Sequence, residues 1–201
     1  MSKARPPIYF IRHGETDWNR QGLIQGWTDT PLNEMGHGQA RAVAQALAAL
    51  PDLTSDYQFF VSPLQRARQT MGYLAETLAL DPQQIAIDAD VQELGFGVWE
   101  GKAFWELKAS PIYPALPEDR YFWRPDGGES YEDGHARIRR WLGKVDRPTV
   151  VVAHGALGRC LVAEIAGLGL RDLVKLAMRQ GCYCRLQDGT AEWFDATSDA
   201  A

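Results

Sequence analysis

Short apolar runs alternate along this chain with longer stretches whose apolar residues recur at helical spacing. The runs at residues 8–11, 58–61 and 149–153 have the length and composition of buried strands. Three further strands are predicted from weaker patterns, near residues 85–87, 183–186 and 191–194. Because strands and helices alternate without an internal repeat, the pattern predicts an α/β fold.

Helical spacing of apolar residues predicts four helices, over residues 33–50, 63–81, 129–145 and 155–166. Asn33 is suited to cap the first helix, and Pro51 closes it. Ser62 is a good N-cap and Pro63 a good first residue for the second helix. Gly167 suits the position just after the fourth helix.

Residues 103–128, called the cover segment below, follow neither the strand period nor the helix period. They contain four prolines and six aromatic residues. Aromatic residues in such a segment commonly cover the core, and the alternative is that they line an apolar pocket. We predict that the segment covers the active site.

Composition limits the classes of protein to which this chain can belong. With 201 residues, 45% of them hydrophobic, and no apolar run near the roughly 20 residues of a membrane span, residues 1–201 are predicted to form one domain. Residues 196–201 are small or acidic, and a flexible tail is expected there. Residues 1–7 lack the apolar core of a secretory signal, so we expect a cytoplasmic protein. The net charge of −5 argues against binding to nucleic acid or to a membrane, and any anion recognition must be local.

The cysteines and two of the histidines are predicted to have structural or solvated positions. Cys160, Cys182 and Cys184 are odd in number and include no CxxC pair, which favours reduced, buried thiols. His37 and His135 lie in polar, helix-like stretches and are expected to be solvated. No HxxxH or HExxH spacing occurs, so the histidines do not indicate a zinc site.

Two predicted strands each end at a histidine. Arg12 and His13 follow the first strand, and His154 and Gly155 follow the strand at 149–153. Loops at the carboxyl ends of strands are where open α/β sheets bind ligands. Arginine offers a planar charge suited to phosphate or carboxylate, and histidine can act as a nucleophile or carry a proton near neutral pH. The residues alone do not distinguish which histidine would attack and which would bind.

Two further segments carry candidate residues. Arg66 lies within about one turn of a predicted helix start, where free N–H groups and the helix dipole favour an anion. Glu93 lies among apolar residues in a loop punctuated by glycines. Such neighbours, together with a bound phosphate dianion, would favour the protonated form of its carboxyl group. Glu15 and Glu100 are the alternative carboxylates for proton transfer.

Six segments form an ordered set along the chain: RHGETDWN at 12–19, QGWTDTPLNEMG at 25–36, SPLQRARQT at 62–70, ELGFGVWEG at 93–101, PDGGES at 125–130 and VAHG at 152–155. The set resembles the histidine phosphatase superfamily, in its phosphoglycerate mutase-like branch. The resemblance runs from about residue 8 to residue 155, and it implies a three-layer α/β/α sandwich with a central, mostly parallel sheet. The chain departs from the pattern at Gly95, where many members of the family carry aspartate.

The resemblance also implies roles for the candidate residues. His13 would be the nucleophile that becomes phosphorylated, and Glu93 would give a proton to the leaving group and later take one from water. The expected phosphate ligands are Arg12, Asn19, Arg66, His154 and Gly155. No metal is expected. Lys102, Arg120 and Arg124 are candidates to contact a second acidic group of a substrate.

Three functions remain open on the sequence. A phosphomonoesterase acting on a small phosphorylated metabolite is favoured, because about sixty residues separate Glu93 from His154 and mutases of this family are longer there. The alternative is a phosphoglycerate mutase that depends on 2,3-bisphosphoglycerate. The third is a phosphate-binding module without turnover, which retention of both histidines and both arginines argues against.

Overall fold

A six-stranded mixed sheet forms the centre of the molecule. The computed structural model describes residues 5–51, 53 and 56–196. The strands lie side by side in the order β3-β2-β4-β1-β5-β6. Their bounds are β1 Ile8–Arg12, β2 Gln58–Val61, β3 Ile85–Ile87, β4 Thr149–Ala153, β5 Cys182–Gln187 and β6 Thr190–Asp195. Strands β1 to β4 pair in parallel, and β5 and β6 continue the sheet in antiparallel pairing. The predicted α/β fold with a mostly parallel sheet is therefore confirmed.

Helices cover both faces of this sheet. Within the described residues the α-helices are α1 Asp17–Gln21, α2 Glu34–Ala48, α3 Gln65–Thr77, α4 Phe104–Ala109, α5 Pro117–Phe122, α6 Tyr131–Leu142, α7 Gly155–Ala166 and α8 Leu170–Leu173. One apolar core packs α6 and α7 against the sheet face that carries Phe10 and Val151. A second core packs α2 and α3 against the face that carries Ile11 and Val152. Successive strand residues point to opposite faces, so a fully apolar strand contributes to both cores.

Local sequence explains several helix ends. The Asn33 side chain accepts a hydrogen bond from the Gly36 N–H at 2.9 Å and caps α2. Ser130 and Asp133 form a reciprocal capping box at the start of α6. Gly167 ends α7 in the left-handed conformation, with φ of 65°.

The prediction that Ser62 caps α3 is wrong. This helix begins two residues after Pro63, at Gln65, and its N-cap Leu64 makes no side-chain capping bond. The Ser62 hydroxyl instead lies 2.6 Å from Nε2 of His154. A tertiary partner on another strand end therefore takes the hydroxyl that the local sequence assigns to the helix.

Parallel pairing of β1 with β4 brings the two strand-end histidines together. Arg12 lies opposite Ala153 in the register, and the His13 N–H donates to the Ala153 carbonyl at 3.0 Å. Gly158 lets α7 approach the sheet, because a Cβ there would lie 2.4 Å from the ring of Phe10. The start of α7 is thereby held next to the end of β1.

The cover segment contains the short helices α4 and α5 and packs beside the carboxyl edge of the sheet. The Phe104 N–H donates to the Gly22 carbonyl at 2.9 Å, and the Tyr121 hydroxyl lies 2.9 Å from Nδ1 of His135. The prediction that His135 is solvated is wrong, since it is only 6% exposed and is held between Tyr121 and the Cys160 carbonyl. Both ring nitrogens of His135 have hydrogen-bond partners. The ring can therefore be buried although its neighbours in the sequence are polar.

Three further expectations concern the cysteines, a membrane span and a C-terminal tail. Cys160, Cys182 and Cys184 are free and buried, as predicted. No helix among the described residues is long and apolar enough to cross a membrane. The predicted tail at 196–201 lies outside the described residues except for residue 196.

Candidate active site

A polar pocket of about 260 Å³, called the strand-end pocket below, lies where β1 and β4 end. Its lining includes six of the residues that the sequence singled out: Arg12, His13, Asn19, Arg66, Glu93 and Gly155. His154 does not line it directly, but the centroid of its ring lies 5.1 Å from that of His13. Four separate segments of the chain thus bring the predicted site residues together at one place.

His13 has the features of a neutral nucleophile. It is only 2% exposed, and its Nδ1 lies 2.7 Å from the Gly14 carbonyl oxygen. A carbonyl oxygen only accepts hydrogen bonds, so Nδ1 carries the proton and Nε2 keeps its lone pair. Burial, followed by the charges of Arg66 and Arg12, lowers the pKa of His13 well below its ordinary value. The ring therefore stays neutral at physiological pH.

His154 is arranged differently. Its Nε2 lies 2.6 Å from the Ser62 hydroxyl, and its buried Nδ1 has no hydrogen-bond partner within the described residues. The Ser62 oxygen accepts from the Leu64 N–H and can donate its own hydrogen to Nε2, which places the ring proton on Nδ1. Burial and the neighbouring arginines lower the pKa of His154 well below its usual range. The Nδ1–H group of His154 is therefore available to donate a hydrogen bond to a ligand.

Arg12 and Arg66 are two of the three arginines that line the strand-end pocket. Arg66 is fully buried, and it donates to the carbonyls of Thr28 at 2.9 Å and Gly26 at 2.8 Å. Arg12 donates to the carbonyl of Met178. Burial lowers the pKa of both guanidinium groups, and the Nε of each has no partner within the described part of the chain. Guanidinium groups that donate to neutral carbonyls and keep an unpaired Nε favour the binding of an anion.

Glu93 is the acid of the pocket, and the start of α7 holds it. Its carboxylate accepts hydrogen bonds from the N–H groups of Ala156 at 3.1 Å and Leu157 at 2.9 Å, and from its own neighbour Leu94 at 3.0 Å. These polar contacts at the N-terminus of α7 differ from the apolar surroundings that the sequence suggests. They orient the carboxyl group of Glu93 at the wall of the strand-end pocket.

The alternative carboxylates have other roles. Both oxygens of Glu100 accept backbone N–H bonds from the loop at 25–28, including Trp27 at 2.9 Å and Thr28 at 2.9 Å. Glu15 accepts a hydrogen bond from the Asn33 side chain at 2.8 Å. Neither glutamate lines the strand-end pocket. The Gly95 position is crowded, because a Cβ there would lie 3.0 Å from the indole of Trp27.

Asn19 lines the strand-end pocket. Its side-chain oxygen already accepts from the Thr16 N–H at 3.2 Å and from the Gln180 amide at 3.0 Å. The amide nitrogen is the part of the side chain left for a ligand. Helix α1, which the sequence reasoning missed, positions Asn19 through the Thr16 capping box.

Sequence reasoning missed three residues that line the strand-end pocket or contact His13. Gln25 and Arg159 line the strand-end pocket, and Gln180 donates to the His13 carbonyl at 3.1 Å. Gln25 is the first residue of the motif QGWTDTPLNEMG, where its type alone indicates no role. Arg159 follows Gly155 by four residues on α7, so helical spacing could have placed both on one face. Gln180 lies in an irregular loop, and nothing local marks it.

A second cavity of about 340 Å³, called the aromatic cavity below, adjoins the first. The two share Phe96, Phe104 and Arg159. The cover segment supplies much of its wall, namely Phe104, Leu107, Lys108, Tyr113, Arg120 and Trp123. Residues of the cover segment therefore border a cavity next to the site as well as covering the core.

Of the three cations predicted to contact a second acidic group of a substrate, only Arg120 lines the aromatic cavity. Arg120 borders the aromatic cavity, but it donates to the carbonyls of Pro114 at 2.9 Å and Ala115 at 3.0 Å. Arg124 pairs with Asp133 at 2.7 Å, and Lys102 lies over the ring of Trp99. Over residues 5–51, 53 and 56–196, no cluster of histidine, cysteine and carboxylate side chains has the form of a metal site.

Comparison with known proteins identifies the family to which the chain belongs. The model of the histidine phosphatase superfamily (branch 1) matches residues 8–194, and the chain belongs to this family. It is 33% identical over 175 residues to a glucosyl-3-phosphoglycerate phosphatase of Mycobacterium tuberculosis, covering 80% of this chain and 75% of the relative. A probable phosphoglycerate mutase of Cronobacter sakazakii is 31% identical over 202 residues, covering 92% and 86%. The solved mycobacterial glucosyl-3-phosphoglycerate phosphatase in complex with VO3 superposes with a TM-score of 0.79, at 30% identity, over 94% of this chain and 96% of that one.

Proposed function

We propose that this histidine phosphatase hydrolyses a small phosphomonoester through a phosphohistidine formed at His13, within a single domain that includes the cover segment. The observation that carries the proposal is the hydrogen bond of 2.7 Å between Nδ1 of His13 and the Gly14 carbonyl. It fixes the tautomer whose Nε2 can attack phosphorus. A buried, neutral imidazole beside two guanidinium groups is suited to that reaction.

Binding of the phosphoryl group uses the donors that the protein leaves unpaired. The guanidinium groups of Arg12 and Arg66, Nδ1 of His154 and the amide of Asn19 would hold its oxygens, with the N-terminus of α7 at Gly155 adding its dipole. These donors would also stabilise the charge on the phosphoryl group during transfer. In phosphoryl transfer, positioning and charge stabilisation supply most of the rate acceleration.

The first step forms the N–P bond and breaks the ester P–O bond. The oxygen that leaves takes the proton of the Glu93 carboxyl group, and the alcohol departs. In the second step Glu93, now a carboxylate, takes a proton from water while the water oxygen attacks phosphorus. The N–P bond breaks, inorganic phosphate is released, and His13 and protonated Glu93 are restored.

A mutase is the second candidate, because relatives of both kinds are similar to this chain. A mutase uses the same first step but returns the phosphoryl group to another hydroxyl group, so it must keep water out. The strand-end pocket adjoins a second cavity with which it shares three lining residues, so the reacting groups lie close to space that water can occupy. Transfer to water is therefore the outcome that we propose.

One experiment separates the candidates. Wild-type protein is given 3-phosphoglycerate with and without 2,3-bisphosphoglycerate, and both free phosphate and 2-phosphoglycerate are followed. We expect hydrolysis to exceed isomerisation by at least about tenfold, a difference in barrier height of roughly 1.4 kcal/mol. Rapid isomerisation with negligible free phosphate would establish the mutase instead. Failure to hydrolyse both this ester and p-nitrophenyl phosphate would favour the binding module.

A further inference from the structure

The irregular segment 176–180, called the bracing loop below, lies between α8 and β5 and contacts residues of the strand-end pocket. The contacts come from alternate positions of the loop, namely Leu176, Met178 and Gln180. The first two accept hydrogen bonds through their backbone carbonyls, from Arg159 and Arg12, and any residue type supplies a carbonyl. Gln180 bonds through its side chain. Its contact therefore depends on the residue type at this position.

The bracing loop is held in place by contacts that do not involve Gln180. Met178 is only 6% exposed and belongs to the same apolar core as Phe10. Arg179 pairs with Asp195 of β6 at 2.9 Å. A change at Gln180 should therefore leave the path of the loop intact.

The amide nitrogen of Gln180 donates two hydrogen bonds. One goes to the His13 carbonyl at 3.1 Å, and the other goes to the side-chain oxygen of Asn19 at 3.0 Å. An amide nitrogen carries two hydrogens, so both are used. Gln180 thus joins the backbone of the proposed nucleophile to the side chain of a proposed phosphate ligand.

These bonds decide the orientation of the Asn19 amide. The two ends of an amide are nearly equal in shape, so only their hydrogen-bond partners distinguish them. The Asn19 oxygen accepts from the Thr16 N–H at 3.2 Å as well as from Gln180. A flipped amide would set its N–H groups against both of these donors. Gln180 therefore adds a second penalty against the flip.

We propose that Gln180 is a positioning residue for phosphoryl transfer, which holds the Asn19 side chain so that its amide nitrogen is available to the phosphoryl group on His13. This inference rests on the proposed phosphatase function. The His13 carbonyl anchors one hydrogen of the Gln180 amide, and the other hydrogen is then directed at Asn19. A donor that is oriented in advance binds an oxyanion at a lower entropic cost.

A double-mutant cycle between Gln180 and Asn19 tests the proposal. Gln180→Met keeps a side chain of similar length but removes the amide. We expect it to lower both kcat/KM for p-nitrophenyl phosphate and the calorimetric affinity for inorganic phosphate by about five- to tenfold, the order of one neutral hydrogen bond. In the Asn19→Ala background the same change should cost less than about twofold, because its target is gone.

Gln180→Glu provides a second reading, also if Gln180→Met does not fold. At pH 7.5 the new carboxylate only accepts hydrogen bonds, and it would face the acceptor oxygens of His13 and Asn19. Its kcat/KM should fall below that of Gln180→Met. Relative to the wild type at the same pH, kcat/KM should recover as pH falls towards 5, because a protonated carboxyl group regains one donor.

Arg179→Gln is the matched control in the bracing loop. It removes the ion pair with Asp195 but no contact to the strand-end pocket, so both kcat/KM and phosphate affinity should stay within about twofold of the wild type. An equal loss in Arg179→Gln and Gln180→Met would assign the effect to the loop as a whole and overturn the role of Gln180.

The remaining outcomes separate this inference from the proposed function. Losses that add fully in the double variant, or wild-type values in Gln180→Met, would overturn the positioning role and leave the phosphatase standing. Gln180→Glu that shows no recovery at lower pH would also count against it. No hydrolysis of any ester by the wild-type protein would instead contradict the proposed function, and the cycle on phosphate affinity would still report on Gln180.

Discussion

The strand-end pocket and the aromatic cavity share three lining residues but are built from different parts of the fold. Strand ends and the start of α7 hold His13, Glu93 and Gly155, and each of these has a backbone partner or a place in a regular element. The aromatic cavity is enclosed largely by the cover segment, where Trp105 is 70% exposed and α4 and α5 are each six residues long. We expect the regular elements to fix the reacting groups and the irregular cover segment to contact the part of the substrate that varies.

The largest effect should come from removing the nucleophile of the strand-end pocket. His13→Ala should reduce turnover by at least about 10³-fold, because the covalent route depends on this ring. Rapid quench with labelled substrate should give an acid-labile, base-stable phosphoenzyme in the wild type and none in the variant. His37→Gln, which alters a histidine on α2 outside the pocket, is the matched control and should keep its label. Label on another residue type would show that the strand-end pocket works by a different route.

A somewhat smaller effect is expected at the acid of the same pocket. Glu93→Gln should lower kcat for an alkyl phosphate by about 10²- to 10³-fold, since the leaving oxygen loses its proton donor. The loss should shrink for p-nitrophenyl phosphate, whose leaving group needs little protonation. Steady-state rates on both esters test this, and equal losses on the two would assign the proton to another group.

The buried histidines make the strand-end pocket sensitive to acid. Burial and nearby arginines lower the pKa of His13 and of His154 well below their ordinary value of 6.5. As pH falls below about 6.5, the unfolded chain therefore binds protons that the folded chain does not, and stability is lost until the folded pKa is reached. Between pH 7.5 and 5 the free energy of unfolding should therefore fall, with a contribution from each of the two rings.

Urea unfolding at the two pH values measures this loss. His154→Gln should have a smaller loss than the wild type, because one of the two rings is gone. Stability that stays level from pH 7.5 to 5 in the wild type would mean that the rings accept protons without cost, and the neutral nucleophile would lose its support.

A change in the cover segment should affect stability more than chemistry. Tyr121→Phe leaves Nδ1 of His135 without the hydroxyl that lies 2.9 Å away, at a cost of about 1 kcal/mol in the free energy of unfolding. Turnover of p-nitrophenyl phosphate should change little, because His135 and Tyr121 lie outside the strand-end pocket. Tyr113→Phe, at a hydroxyl without such a partner histidine, is the control for stability. A large loss of turnover in Tyr121→Phe would show that the two regions are not separable.

Removal of metal should have the smallest effect. Dialysis against EDTA should leave turnover unchanged, because arginine, histidine and amide donors supply the phosphate contacts of the strand-end pocket. Vanadate should inhibit competitively as an oxyanion of matching shape. Loss of activity in EDTA that magnesium or zinc restores would contradict this reading.

The two regions also differ in how far the sequence predicted them. The strand periods and the motifs around Arg12, Arg66, Glu93 and His154 identified the fold class and most of the strand-end pocket. Strands that end in a functional residue are local patterns, and parallel pairing then brings their ends to one edge of the sheet. The chain order of these elements therefore carried enough information to predict that the candidate residues meet in one pocket.

Tertiary structure alone decided which partners the remaining buried polar groups have. It gave the hydroxyl of Ser62 to His154 rather than to α3, buried His135 between Tyr121 and a carbonyl, and set Arg159 between two cavities. Each of these contacts joins residues 14 or more positions apart, and in each the local pattern suggested another role or none. Hydrogen-bond partners of buried polar groups are chosen by whichever element packs nearby, and a single sequence records the period of an element but not its neighbours.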